Sequence, residues 1–274
     1  MRIGSDTGGT FTDLVVEDGR ILKVPSTPAD PGSAVRSGIE ALVGQSDVPA
    51  GASGAAGSVA GRPEQLAHGT TVATNALLER RGARTALVTN EGFADVVEIA
   101  RQDRPSLYDG DVRRPEPLVE RDMRLEVGGR IGPDGVELEP VDPDGLPEVP
   151  EGVEAVAVCL LHSDLEPSHE RTVAEALTAA GFDVTSSHEI SPEMREYERT
   201  STTVLNAYLR PVCRAYLDGL ADAADEVTAM TSAGGLVERA VAADQPARLL
   251  LSGPAGGVLA GTSVAAANGF SDAV

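Results

Sequence analysis

The stretch Ser5-Asp6-Thr7-Gly8-Gly9-Thr10-Phe11-Thr12-Asp13 decides how this chain folds. The short lead Met1-Arg2-Ile3-Gly4 precedes it and Leu14-Val15-Val16-Glu17 follows, so it reads as a tight turn joining two short strands. Two adjacent glycines remove the Cβ atoms that would keep an anion off the backbone. Both can take positive φ, which would aim successive N–H groups into one concavity. Thr7, Thr10 and Thr12 add hydroxyls, while Asp6 and Asp13 add hard oxygens suited to Mg²⁺ or its water shell. On this chemistry the stretch is either a phosphate cradle or an ordinary hairpin with a Gly-Gly turn. Other phosphate loops are excluded by reading. A Walker A loop needs Gly-Lys-Ser/Thr, whereas the only lysine, Lys23, follows Leu22, and no Gly-x-Gly-x-x-Gly occurs.

Outward from the turn, residues 13–17 and 20–24 read as strands turned at Asp18-Gly19. A helix opens at Asp30-Pro31 and ends at Gly44, with Val35, Ile39 and Leu42 at helical spacing. Residues 45–63 collapse to Gly, Ala and Ser, the composition of a flexible surface insertion. Residues 65–68 form a short strand running into Gly69-Thr70-Thr71, where a threonine can cap a helix that reaches Leu78. His68 is then either a structural histidine in a strand-to-helix turn or part of a wall that holds a substrate carbonyl. Asn75, one turn later, would face the same wall.

The remaining chain alternates strands and helices, which predicts a sheet that is at least partly parallel. A strand at 84–89 precedes a short helix at 92–99, and residues 101–117, with Pro105, Pro115 and Pro117, form an irregular loop. Residues 118–130 and 136–139 are expected to pair as one hairpin around Pro133-Asp134-Gly135. Residues 154–161 make a buried strand, followed by a helix at 167–180 and a strand at 182–185. Ser191-Pro192 opens the longest helix, to Leu220, with a kink or restart expected at Arg210-Pro211. A helix of small residues at 255–267 is suited to tight packing against another backbone. His162, His169 and His188 lack a metal-binding pattern, so no bound transition metal is expected.

The chain has 274 residues, enough for one large or two ordinary domains, and 41% are hydrophobic. No apolar run reaches the roughly 18 residues of a membrane span and no secretory leader pattern is present, so the expected location is the cytoplasm. With 22 basic against 43 acidic residues the net charge is −21, which disfavours nucleic acid and anionic membranes as partners. Acid dispersed along the chain, with a single lysine, suits a very salty cytosol and predicts unfolding at low salt. Cys159 and Cys213 stand apart and are expected as buried free thiols.

Asp6-x-Gly8-Gly9-Thr10 between two strands resembles the first phosphate loop of the actin, sugar kinase and heat-shock ATPase superfamily. The longer string to Asp13 is similar to the opening of the hydantoinase A and 5-oxoprolinase family. Three further stretches carry the same likeness: His68-Gly69-Thr70-Thr71-Val72-Ala73-Thr74-Asn75-Ala76; Arg195-Glu196-Tyr197-Glu198-Arg199-Thr200 running on to Asn206-Ala207-Tyr208; and Ser252-Gly253-Pro254-Ala255-Gly256-Gly257. The resemblance implies an α/β, actin-like (ribonuclease H-like) ATPase lobe, a mixed sheet flanked by helices. It further implies an N-terminal domain at 1–190 and the start of a hydantoinase A domain at 191–274, the chain stopping before the second phosphate loop. The implied cofactors are ATP and Mg²⁺ and the implied activity is ATP-dependent opening of a cyclic amide or imide. Asp6 would hold Mg²⁺, directly or through water. Thr7, Gly8, Gly9, Thr10, Phe11 and Thr12 would line the nucleotide phosphates and Asp13 would orient the loop. His68, Gly69, Thr70, Thr71 and Asn75 would face the ring, with Asp6, Asp13 and His68 as the catalytic group. A hydantoinase B-like subunit or the missing second lobe is the implied partner. The same likeness leaves open a non-catalytic half that needs a second chain, and a related ketone carboxylase.

Overall fold

The structure, a computed structural model, describes residues 1–27, 30–44 and 62–272, so most of the expected insertion at 45–63 lies outside the described residues. The chain forms two compact units, one from residues 1–81 and 212–274 and one from residues 82–211.

The first unit begins with β1 (Arg2–Thr7), β2 (Phe11–Val16) and β3 (Ile21–Pro25), three antiparallel strands whose turns fall at Gly8-Gly9-Thr10 and Asp18-Gly19. Gly19 supplies the positive φ of its turn, at 91°. Helix α1 (Pro31–Gly44) buries Val35, Ile39 and Leu42 against Ile3, Leu14 and Val16, as the helical spacing requires. Strand β4 (Gln65–Thr70) pairs in parallel with β1, and α2 (Val72–Leu78) follows it directly.

The second unit is built on a parallel sheet. Strand β5 (Thr85–Asn90) is buried at every residue, and the turn-like stretch after it contains α3 (Val96–Ile99). The expected single hairpin at 118–139 resolves into two structures. Strand β6 (Arg124–Val127) joins β5 in parallel, and only β7 (Arg130–Ile131) pairs with β8 (Glu137–Glu139). The cause is Gly129, whose φ of 87° turns the chain between β6 and β7. Strand β9 (Ala155–Val158), helix α4 (Ser168–Ala179) and strand β10 (Asp183–Ser186) complete the order β10-β9-β5-β6. Helix α5 (Ser187–Ile190) begins against the Glu170 carboxylate, which accepts from Leu160 N, Ser187 Oγ, His188 N and His188 Nδ1.

Helix α6 (Glu196–Asp218) starts four residues later than Pro192 and runs through Pro211 as one helix. Arg199 explains the delay: its buried guanidinium donates to Glu193 O, Leu160 O and Asp164, so residues 191–195 are tied down as a loop. The chain re-enters the first unit at Val212, where β11 (Glu226–Met230) pairs in parallel with β4 and β12 (Leu236–Glu238) closes the edge. The six-stranded order is β12-β11-β4-β1-β2-β3. Helix α7 (Arg239–Asp244) leads to α8 (Ser252–Ala267), which starts earlier than residue 255 and leaves Val258, Leu259 and Val264 exposed. Among the described residues no helix is long and apolar enough to cross a membrane.

Candidate functional site

The period of a strand is two, so neighbours in the Ser5–Asp13 stretch point to opposite faces of the sheet. Ser5, Thr7 and Thr12 lie on the face covered by α1 and α6, together with His68 and Thr70 of β4. Asp6, Phe11 and Asp13 lie on the other face, where Asp6 stands opposite Asp13 on one side and Gly69 on the other. One motif therefore builds two surfaces.

On the covered face a chain of hydrogen bonds runs through the core. Ser5 Oγ lies 2.7 Å from His68 Nδ1, and His68 Nε2 lies 2.6 Å from the Tyr216 hydroxyl on α6. Thr12 Oγ1 donates to Thr7 Oγ1 at 3.3 Å and pairs with Ser26 Oγ at 3.0 Å. His68 is 1% exposed, and burial pulls its pKa down to about 4, so the ring is neutral at ordinary pH. Burial likewise pushes Tyr216 up to about 12, against the opposing hydrogen bonds of Thr70 and Thr7.

These placements locate three of the expected site residues: His68 and Thr70, expected to face the ring, and Thr12, expected to line the phosphates. His68 has both nitrogens engaged inside the core. Thr12 is fully buried and Thr70 nearly so, because parity turns them inward with His68. Thr70 instead braces the next turn, its hydroxyl accepting from Val72 N at 3.2 Å. Tyr216 is the residue that sequence reasoning missed. Its only signal is a tyrosine within the apolar stripe of α6, lying 148 positions from the histidine it meets.

The turn itself is tighter than a left-handed nest. Neither Gly8 nor Gly9 takes positive φ, and Gly8 N donates to Phe11 O at 3.0 Å, which closes the hairpin. The N–H groups of Gly9 and Thr10 have no partner among the described residues and are left for an anion. Asp6 is exposed and has no hydrogen bond or ion pair among the described residues. A Cβ at Gly69 would meet Asp6 Oδ1 at 2.9 Å, so glycine at this position is what lets the carboxylate lie there. Asp13 is engaged, its Oδ1 lying 2.8 Å from Lys23 Nζ, which also sits over the Phe11 ring. An exposed carboxylate near the end of β1 and unpartnered backbone N–H groups in the glycine-rich turn that follows it are donor types suited to a phosphate group with its Mg²⁺.

Below the turn, on the helix side, lies a cavity of about 620 Å³. Thr7, Gly8, Gly9, Thr71, Asn75 and Tyr216 are among the residues that line it. Thr71 is pinned to β1, its N–H and hydroxyl both reaching Thr7 O, at 3.1 and 3.3 Å. Of the proposed site residues the cavity thus gathers Thr7, Gly8, Gly9, Thr71 and Asn75. Asp6, Gly69, Thr10, Phe11 and Asp13 are not on its wall.

Comparison with known proteins identifies the family and the fold. The family model described as the hydantoinase/oxoprolinase N-terminal region matches residues 2–181, and the hydantoinase/oxoprolinase model matches residues 199–274. The chain is 34% identical to the caprolactamase subunit alpha of Pseudomonas jessenii over 293 residues, covering 100% of this chain and 41% of that one. It is 34% identical to 5-oxoprolinase 1 of Arabidopsis thaliana, covering 94% of this chain and 23% of the relative. The crystal structure of the ATP-dependent caprolactamase from Pseudomonas jessenii superposes with a TM-score of 0.77 at 33% identity, covering 98% of this chain and 41% of that one. The chain spans about two fifths or less of the length of these relatives. With a mixed sheet flanked by helices and family models matching nearly its whole length, the chain belongs to the hydantoinase/oxoprolinase family.

Proposed function

We propose that this chain is the N-terminal, nucleotide-handling part of an ATP-dependent hydrolase that opens a small cyclic amide or imide. The observation that carries the reading is the exposed, unpaired Asp6 carboxylate beside the free N–H groups of Gly9 and Thr10. ATP, when bound, would supply phosphorylation of the amide oxygen and so a leaving group for water to displace. Asp6 would hold Mg²⁺, directly or through water, and Gly9 and Thr10 would receive phosphate oxygens on their N–H groups. Asp13, held by Lys23, would set the spacing of the two carboxylates across β1 and β2. Thr71 and Asn75 would face the ring from the cavity below.

The relatives named for ATP-dependent lactam chemistry support the reading. Their greater length supports completion by a second lobe or a hydantoinase B-like subunit, with residues 1–190 and 191–274 as family regions that each contribute to both compact units. A cytoplasmic, salt-rich setting is part of the proposal and fits the dispersed acidic charge.

Phosphate release from Mg-ATP tests it, measured for this chain alone and with a hydantoinase B-like polypeptide, with and without a lactam. Lactam-dependent release that disappears in Asp6→Asn is expected. Release only after the second polypeptide is added would assign this chain the role of a half-site. No release in either case, or full release by Asp6→Asn, would overturn the proposal.

A further inference from the structure

The proline-rich loop at 101–117 lines a second cavity, of about 740 Å³, whose lining residues all belong to the second unit. That volume is within the range of small-molecule sites. Part of the wall is apolar: Val119 and Val204 are buried in the core, and Val97 and Leu118 pack against the same cluster. Tyr197 adds an aromatic ring, and Gln102 and Ser201 add uncharged polar groups.

The loop is held in one shape. Ala100 and Gln102, both on the lining, take φ of 54° and 61°, a left-handed conformation that non-glycine residues disfavour. Arg114 offsets that strain by donating to the carbonyls of Glu98, Ile99 and Asp103, and Arg101 pairs with Glu198 at 2.7 Å.

Three acidic and three basic side chains line the cavity, yet they differ in what they have left to offer. Glu98 is paired with Arg124 at 2.8 Å, Glu116 is engaged, and Arg114 is spent on the loop carbonyls. Among the described residues the side chains of Arg104, Arg113 and Asp103 have no hydrogen bond or ion pair. Two free guanidiniums therefore stand against one free carboxylate, in a chain whose net charge is −21. A guanidinium fork matches the two oxygens of a carboxylate. A bare phosphate would leave the apolar wall wet, and an uncharged ring would leave both guanidiniums unmet.

We infer that this cavity is a second small-molecule site, for a small organic carboxylate with an apolar body. Arg104 and Arg113 take the carboxylate, and Val119, Val204 and Tyr197 cover the apolar part. The inference goes beyond the proposed hydrolysis, whose named residues all belong to the first unit.

Calorimetric titration of the whole chain with benzoate, benzamide and inorganic phosphate, at one fixed salt concentration, tests it. Benzoate is expected to bind at one site, at least tenfold tighter than benzamide or phosphate, as a charge-assisted hydrogen bond allows. In Arg104→Gln/Arg113→Gln, benzoate should lose its advantage over benzamide while Tm stays unchanged, since both arginines are exposed. Asp103→Asn removes a like charge and should tighten benzoate a few-fold. Absence of benzoate binding, equal binding of benzamide or of phosphate, or a preference that survives the double variant would each overturn the inference. Should that variant fail to fold, the three ligands on the wild-type chain and on Asp103→Asn decide the matter. The titrations contain no nucleotide, so failure of Mg-ATP hydrolysis would overturn the proposed function and leave this result standing.

Discussion

At the carboxyl end of β1 the two faces of one sheet make opposite use of polar residues. The covered face carries Ser5, Thr7, Thr12, His68 and Thr70, and joins several of them into an internal network that ends on Tyr216. The open face carries Asp6 and Asp13, of which one is ion-paired and the other unpaired. Hydroxyls and a neutral imidazole can satisfy one another when buried, whereas an ionised carboxylate needs water, a cation or a charged partner. Parity along the strands thus sorts the motif into a structural half and, under the proposed function, a chemical half. Substitutions on the first should cost stability, and substitutions on the second should cost activity.

The largest effect is expected on the covered face. His68→Ala would leave Ser5 Oγ without its partner, take one partner from the Tyr216 hydroxyl and open a void, together about 3–5 kcal/mol. Thermal unfolding should show it as a fall in Tm of roughly 10 °C. A variant as stable as the wild type would mean that the network does not support the core.

The same residue gives the face a pH signature. The pKa of His68 is about 4 in the fold, below the ordinary 6.5, so the unfolded chain takes up a proton first. Its contribution is complete above pH 6.5 and is lost as pH falls from there to about 4, a span worth about 3 kcal/mol. Denaturant midpoints across that range should fall in the wild type and lose this part of the slope in His68→Gln.

How much of this was legible beforehand depends on the residue. The hairpin turn at Asp18-Gly19, the stripe Val35, Ile39 and Leu42, and the buried strand near residue 156 follow from local periodicity, and each is where that periodicity places it. The division of the motif into faces is encoded by the same period of two. It is masked because both faces are polar, so no apolar alternation marks which residues turn inward. Tyr216 is invisible locally, since only tertiary folding brings α6 to His68. The late start of α6 has a similar cause: Ser191-Pro192 is a good local signal, overridden by the buried Arg199 that holds the preceding loop.

Open-face substitutions should act in the opposite sense to His68→Ala. Asp6→Asn keeps shape and removes charge at an exposed site, so stability should stay within about 0.5 kcal/mol. Under the proposed function, the Mg-ATP turnover of the chain with its completing partner should fall by about a hundredfold, as for loss of a preorganised electrostatic group. Gly69→Ala probes the same carboxylate from the neighbouring strand. The new Cβ would crowd Asp6 Oδ1, displacing it, and turnover should fall by about tenfold with little change in Tm. A Gly69→Ala variant that loses stability and keeps turnover would place Gly69 with the structural half.

The smallest effect separates support from chemistry on the open face itself. Lys23 holds Asp13 and covers the Phe11 ring, yet both side chains of the ion pair are about half exposed, at 54% and 45%. Solvent screens such a pair, so Lys23→Met should cost no more than about 1 kcal/mol, and less as salt is raised. Its methylene stem on Phe11 is largely retained by methionine, which confines the change to charge. Freed from Lys23, Asp13 becomes a second unpaired carboxylate across from Asp6, where a divalent cation would feel both. Turnover at limiting Mg²⁺ should therefore hold or rise in Lys23→Met while Tm barely moves. A marked loss of turnover would instead show that the ion pair, by fixing Asp13, is part of what positions Asp6.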